Sequence, residues 1–281
     1  MSLLGLRYKV KLAWGIPIRF PYASGFQLGP ILPPPSTIIG SVIEPVAIRL
    51  GLGELVNYEG TICSPIYAFK DAFKAAALGL SPESEVGLIV KGEVTKLVQI
   101  PYLSDENARD PRQWFTAQAI AAVYGPGAVL DLAVVVDLDT LAKRYEEVSG
   151  KPISEGDLEE VLKTVVPRRL GAKEGLIFIR ESSVGEANEC VNCETYLYAP
   201  EELWIEKPQP FVNLDLWELT KSSACVTKAR RGVSLVVQTR RYVAASGPLS
   251  SSFVLTPPPS KNFGSVKSGY CIEDVCVGGG T

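Results

Sequence analysis

Residues 6–12 read Leu-Arg-Tyr-Lys-Val-Lys-Leu, and this strict alternation is the strongest constraint on the fold. Leu6, Tyr8, Val10 and Leu12 share one face, while Arg7, Lys9 and Lys11 share the other. A period of two marks a strand with one buried face. Here the polar face is wholly basic, open either to solvent or to RNA.

A proline- and glycine-rich stretch follows and ends in Pro33-Pro34-Pro35, which predicts an ordered loop because proline fixes φ and removes a donor. Ser36 then offers an N-cap. Ile38, Ile39, Val42, Ile43 and Val46 follow at helical spacing, with Pro45 inside the helix and Gly51 and Gly53 at its end. A second strand is predicted within residues 61–69 and a clearer one within 128–137. Ser154 and Asp157 open a helix carrying Leu158, Val161, Leu162, Val165 and Val166, and Leu176–Ile179 is a short strand. The order β-α-β, β-α-β predicts an α+β, ferredoxin-like (RRM-like) domain over 1–180.

Between the second and third strands, about residues 70–127 are too many for a structureless loop. They read as an insertion with helix-like pieces (Asp71–Leu78, Trp114–Tyr124) and strand-like pieces (Val86–Val90, Val94–Ile100). Trp114 and Phe115 near Arg109 and Arg112 have the composition of an interface anchor. Residues 181–194 read as polar and turn-rich. Residues 181–281 as a whole read as a small β-rich second domain with short runs such as Tyr196–Tyr198, Val233–Gln238 and Phe253–Leu255.

The chain contains no histidine, which removes Ser-His-Asp, Cys-His and His-metal sites. The carboxylate pairs Glu146-Glu147, Glu159-Glu160 and Glu201-Glu202 lack hydrolase spacing and read as solvated faces. No catalytic residue is assigned, and no cofactor is expected. Net charge is −3, yet Lys221, Lys228, Arg230, Arg231, Arg240 and Arg241 lie in one stretch without an acidic residue. That patch suits a polyanion, but more simply it balances an acidic neighbour. The few apolar residues before Arg7 are too short for a signal peptide, and Ala119–Val136 is broken by Gly-Pro-Gly and Asp131, so a cytoplasmic protein without a membrane partner is expected.

Cys190-x-x-Cys193 and Cys271-x4-Cys276 are the metal candidates: two close pairs make a tetrahedral zinc site if the fold joins them. Disulfides are at least as well supported, because the single Met and abundant Pro suit a hot environment, where intracellular disulfides occur. Gly171-Ala-Lys-Glu-Gly175 follows a helix and precedes a strand, so it is neither a Walker loop nor a dinucleotide fingerprint. With Arg168, Arg169 and Lys173 beside it, it suits a phosphodiester backbone; taken alone, a helix C-cap followed by a tight turn fits it better. Trp14, Phe20 and Tyr22 are either stacking platforms or core.

The basic strand, Trp14-Gly15, the run Pro33-Pro34-Pro35-Ser36-Thr37-Ile38-Ile39-Gly40 and Arg169-Leu170-Gly171-Ala172-Lys173-Glu174 together resemble the RAMP proteins of CRISPR systems. More narrowly they resemble Cas protein family five, the subunit that caps the crRNA 5′ handle in type I (Cascade) complexes. Ser64-Pro65-Ile66-Tyr67-Ala68-Phe69-Lys70-Asp71 followed by Ala75-Ala76-Ala77 is most similar to the archaeal type I-A branch. The proline-rich run is shared with the handle-capping subunits of type III complexes.

The resemblance implies that the 70–127 insertion is a thumb, with Arg109, Arg112, Trp114 and Phe115 meeting a partner. It implies crRNA contacts from Arg7, Lys9, Lys11, Trp14, Ser36, Thr37, Arg168, Arg169, Gly171 and Lys173. The implied partners are the crRNA 5′ handle, a backbone RAMP subunit and the large subunit. Most members are not enzymes. One branch cleaves precursor crRNA, and without histidine such a metal-independent nuclease would need Tyr22 or Lys173 as base.

Overall fold

A computed structural model describes residues 2–18, 29–98, 115–171, 174–226, 237–260 and 262–279. The alternating segment forms β1 (Leu3–Leu12), followed by the short β2 (Gly15–Ile16). α1 (Pro35–Arg49) starts one residue before the expected Ser36 cap: Pro34 is the N-cap and Pro35 supplies the preset φ of the first turn. Ser36 therefore lies inside the helix. The helix runs through Pro45, buries Ile38, Ile39, Val42, Ile43 and Val46, and stops before Gly51 at φ +72.

The expected strand at 61–69 is only partly present. A hairpin of β3 (Val56–Tyr58) and β4 (Thr61–Cys63) ends where Pro65 opens α2 (Pro65–Phe69). The strand that the sheet uses is instead β5 (Phe73–Leu80), expected as helix. Alanine favours helix in isolation, but Ala75, Ala76 and Ala77 are buried here, where their small size lets both faces be covered. Gly79 shows how close that cover is: a Cβ there would lie 3.2 Å from the Tyr196 carbonyl oxygen. The insertion thus begins after Leu80, not at residue 70.

It contains β6 (Leu88–Val98) and β7 (Phe115–Tyr124), the second also expected as helix. They pair antiparallel from Ile89–Tyr124 out to Val98–Phe115. The chain returns to the sheet as β8 (Val129–Asp137), buried along its whole length. α3 (Leu138–Ser149) follows directly, a helix with no counterpart among the expected elements; Asp137 caps it. α4 (Glu155–Thr164) has the predicted Ser154 cap, whose Oγ accepts from the Asp157 amide at 3.1 Å.

β9 (Ile177–Glu186) runs on past residue 180, where a domain boundary was expected. Its polar half stays extended because Glu181 to Glu186 pair with Lys9 to Leu4 of β1. The remaining elements are β10 (Asn188–Thr195), β11 (Ala199–Pro200), β12 (Trp204–Glu206), β13 (Phe211–Trp217), α5 (Lys221–Ala224), β14 (Thr239–Ala245), β15 (Val254–Leu255), β16 (Gly264–Ile272) and β17 (Val275–Gly278). Tyr196–Tyr198 is irregular chain between β10 and β11, and Val233 lies outside the described residues.

The protein is α+β. One antiparallel sheet has the order β5-β8-β1-β9, with α1 and α3 against it. Leu6, Tyr8, Val10 and Leu12 are buried. On the opposite face, a Cβ at Gly5 would meet the Ile272 side chain, so the β16–β17 hairpin lies across the side that carries Arg7 and Lys9. The largest apolar cluster joins residues from both halves of the chain, among them Leu6, Val134, Leu158, Tyr198, Leu214 and Ile272. A second sheet, β15-β6-β7-β2, holds the base of the β6–β7 hairpin. β15 pairs only with Leu88 and Ile89, and β2 only with Val123 and Tyr124. Outward from Lys91 and Ala122 the hairpin strands pair only with each other among the described residues, over roughly 24 Å.

Candidate nucleic-acid interface

The glycine loop closes on itself through main-chain bonds. Leu170 donates to the Gly175 carbonyl at 2.8 Å, and Ile177 donates to Arg168 at 3.2 Å. Gly171 has φ +89, and a Cβ there would stand 2.5 Å from the Pro17 carbonyl oxygen. Only glycine suits that combination. The close backbone approach anticipated at this glycine is thus made by the chain's own Pro17. Trp14 is tied to the same loop: its indole Nε1 donates to the Glu174 carbonyl at 2.8 Å.

Beside the loop lies a cleft of about 900 Å³ that brings together four expected residues: Ser36 and Thr37 from the first turn of α1, and Arg169 and Gly171. The α1 N-terminus has no side-chain cap and no acidic residue in its first turn. Pro35 has no amide proton and the Thr37 amide donates to the Pro34 carbonyl at 2.9 Å, so the Ser36 amide is what this electropositive end offers an anion. The charged side chains lining the cleft are mostly acidic. Arg169 is the only cation lining it among the described residues, against Glu44, Glu54 and Glu174. Its guanidinium donates to both oxygens of Glu44, with Nε at 2.7 Å. Glu44 had no signal in the sequence, being one more polar residue on an amphipathic helix. Arg168 is exposed, and no ion pair forms on it among the described residues.

The basic face of β1 is largely neutralised, which corrects the expectation of a continuous cationic strand. Arg7 pairs with Asp274 and, at 3.8 Å, with Glu273. Lys9 is buried and pairs with Glu83 at 3.0 Å and Glu181 at 3.3 Å. Burial by itself lowers the Lys9 pKa, but hydrogen bonds to the two glutamates outweigh it and hold the pKa above the ordinary lysine value. Lys11 alone stays exposed without an ion pair among the described residues. Physically, the acids come from segments distant in sequence: Glu83 just after β5, Glu181 in β9, and Glu273 and Asp274 in the β16–β17 turn.

The described members of the C-terminal basic stretch are paired in the same way. Lys221 meets Glu59 at 3.1 Å, Arg240 meets Glu202 at 2.6 Å and Arg241 meets Asp215 at 3.3 Å. Lys228, Arg230 and Arg231 lie outside the described residues, as do Tyr22, Lys173, Arg109, Arg112 and Trp114. Phe115 starts β7, opposite Val98 at the outer end of the hairpin ladder. Cys190 is bonded to Cys193 and Cys271 to Cys276; a third disulfide, Cys63–Cys225, joins residues 162 apart and had no local signal. No described helix is long and apolar enough to cross a membrane.

The fold is similar to that of a CRISPR protein of known structure. A crystal structure of a CRISPR protein from Archaeoglobus fulgidus matches 99% of this chain and 100% of its own at a TM-score of 0.53, with 15% identity, a likeness of fold alone. In sequence the chain is similar to archaeal Cas5 proteins, the family that the motifs resemble. The chain is 27% identical over 186 residues to the CRISPR-associated protein Cas5 3 of Saccharolobus solfataricus. It is 26% identical over 185 residues to the CRISPR system aCascade subunit Cas5 1 of the same organism. Each alignment covers 64% of this chain and 65% of the relative. No family model matches.

Proposed function

We propose that this chain is a non-catalytic, RNA-binding Cas5-type subunit of a type I-A CRISPR surveillance complex in antiviral defence. It caps the 5′ handle of crRNA and nucleates assembly with a backbone RAMP subunit and the large subunit. The observation that carries this reading is the cleft beside the glycine loop, where the uncapped N-terminus of α1, with the Ser36 amide, lies next to Arg169, with Arg168 exposed nearby. Backbone amides and arginine forks bind phosphate without histidine.

The sheet order β5-β8-β1-β9, with helices linking β1 to β5 and β8 to β9, supports a ferredoxin-like RAMP domain over 1–180. We read 181–281 as its β-rich companion, and the outer part of β6–β7 as the thumb. Burial pushes Tyr8 and Tyr242 up to about 12, and Tyr198 well above its ordinary value, so none of these three is a base suited to neutral pH.

The test is incubation of purified protein with repeat RNA, with and without magnesium, beside a binding assay on handle RNA in the presence of the backbone subunit. Salt-sensitive binding without cleavage is the expected result. Site-specific cleavage abolished by Tyr22→Phe or Lys173→Ala would instead make the protein a RAMP endoribonuclease. Assembly only with type III subunits would move it to that class of complex.

A further inference from the structure

The structure gathers four cysteines that the proposed RNA-binding role leaves unused. Cys190 and Cys193 are three apart in β10, a spacing that puts side chains on opposite faces of a regular strand. Asn192 between them takes φ +57, which breaks the pleat without shifting the register against β16. Both sulfurs can then meet on one side. Cys271 and Cys276 are direct cross-strand partners in the β16–β17 hairpin, closed by Glu273 and Asp274. Opposite Cys190 stands Gly269, so no side chain separates it from Cys271 two residues further on. The sulfurs of Cys190, Cys193 and Cys271 all lie within 4.8 Å of one another, and Cys276 is bonded to the third.

We propose that in its reduced state the chain binds one zinc ion through the thiolates of Cys190, Cys193, Cys271 and Cys276, and that the two disulfides are the oxidised form of this site. Zn–S bonds of about 2.3 Å in a tetrahedron require sulfurs about 3.8 Å apart. Cys190, Cys193 and Cys271 already hold their sulfurs within 4.8 Å of one another; once the disulfides open, each bonded pair moves apart to this spacing and Cys276, tethered beside Cys271, turns in as the fourth ligand. Cys190, Cys271 and Cys276 are half-buried, so the cluster is reachable from solvent, while Cys193, Trp204 and Val266 give it an apolar floor.

The connectivity also favours a metal. The disulfides close separations of only 3 and 5 residues, each inside one strand or one hairpin, and neither ties β10 to β16–β17. One zinc would join them, a longer-range constraint and a larger gain in stability. In the redox step each disulfide takes two electrons and two protons from a dithiol of the thioredoxin type, which becomes a disulfide. Zinc then displaces the four thiol protons to solvent.

Full-length protein reduced anaerobically with tris(carboxyethyl)phosphine and desalted tests the site. The expected result is uptake of one zinc per chain, measured by elemental mass spectrometry, and none by the oxidised protein. Cobalt in its place gives the ligand-field and sulfur charge-transfer bands of a tetrahedral thiolate site. Cys190→Ser and Cys271→Ser abolish stoichiometric uptake, whereas Cys63→Ser keeps one metal. Should the serine variants not fold, alkylation of the reduced wild type with and without zinc decides: zinc slows modification of Cys190, Cys193, Cys271 and Cys276 and leaves the rates at Cys63, which is fully buried, and Cys225 unchanged. Reduced, folded protein that takes up no metal overturns the proposal, as does zinc retained by both variants or zinc-dependent protection that falls on Cys63 and Cys225 instead.

Discussion

Arg169 in the glycine loop is clasped by Glu44 of α1, 125 residues earlier in the chain, through two hydrogen bonds. This pair fixes the loop against the helix and forms one wall of the cleft. Two donors on the guanidinium are spent on Glu44, which leaves the others for a phosphate. The carboxylate also sets a threshold, since an anion arriving at Arg169 meets a charge of its own sign. On the proposed RNA-binding role, a phosphate would sit where Arg168 and the Ser36 amide add to the attraction.

The first prediction follows from that balance. Arg168→Ala with Arg169→Ala weakens handle-RNA binding alike across RNA sequences and lowers the salt slope by about 1 to 1.5 units, as for two lost contacts to a single strand. Glu44→Gln frees Arg169 and tightens binding several-fold. The control is Glu159→Ala with Glu160→Ala on the surface of α4, which leaves binding unchanged. Affinities measured from low to moderate salt check all three, and equal losses from the two double variants would take the loop out of the interface.

Gly171→Ala forces a side chain into φ +89 and against the Pro17 carbonyl. The left-handed backbone alone costs roughly 1–2 kcal/mol, and the contact adds to it. A urea midpoint shifted down with an unchanged slope is the expected signature. An unchanged midpoint would mean that the loop relaxes freely.

Asp137 gives a pH dependence with a defined sign. Burial raises the pKa of this carboxyl, but hydrogen bonds from the Thr140 amide and hydroxyl and the nearby Lys74 ammonium, 3.3 Å away, outweigh burial and leave it below the ordinary aspartate value. Its stabilising effect is complete above the unfolded pKa of about 4 and disappears as pH falls through the lower folded value. Asp137→Ala therefore costs at least about 1–2 kcal/mol at neutral pH through the lost helix cap. The gap to wild type narrows in acid. Urea unfolding at pH 7 and pH 3 checks this, and a gap that widens in acid would reverse the assignment.

Among the described residues, the β6–β7 hairpin pairs with other strands only at its base. Because Lys91 and Ala122 are cross-strand partners, a two-residue Asn-Gly turn can replace residues 92–121. The shortened protein is expected to keep its melting temperature within a few degrees while losing pull-down of the backbone subunit. Collapse of the fold on shortening would instead mark the hairpin as part of the core.

β1, α1, β8 and α4 are legible in the sequence because each carries its own period: two for Leu6 to Leu12 and Leu130 to Val136, helical spacing for Ile38 to Val46 and Leu158 to Leu162. Such a period records which face meets the core, and neighbours in sequence suffice to read it. The same local signal misleads at Phe73–Leu80 and Phe115–Tyr124, where alanine-rich segments favour helix until a partner strand pairs with them. The motifs of the family are local as well, so short runs of adjacent residues are enough to carry the resemblance. Only the tertiary structure decided which charges remain available. Arg7, Lys9 and Arg169 read as free cations, yet their counter-ions Asp274, Glu181 and Glu44 come from distant segments that the fold brings together. It likewise brought Cys190 and Cys271 to one side of a sheet. Pairings of this kind depend on which surfaces are buried together, and hydrophobic burial is non-directional, leaving no mark on the residues adjacent in sequence.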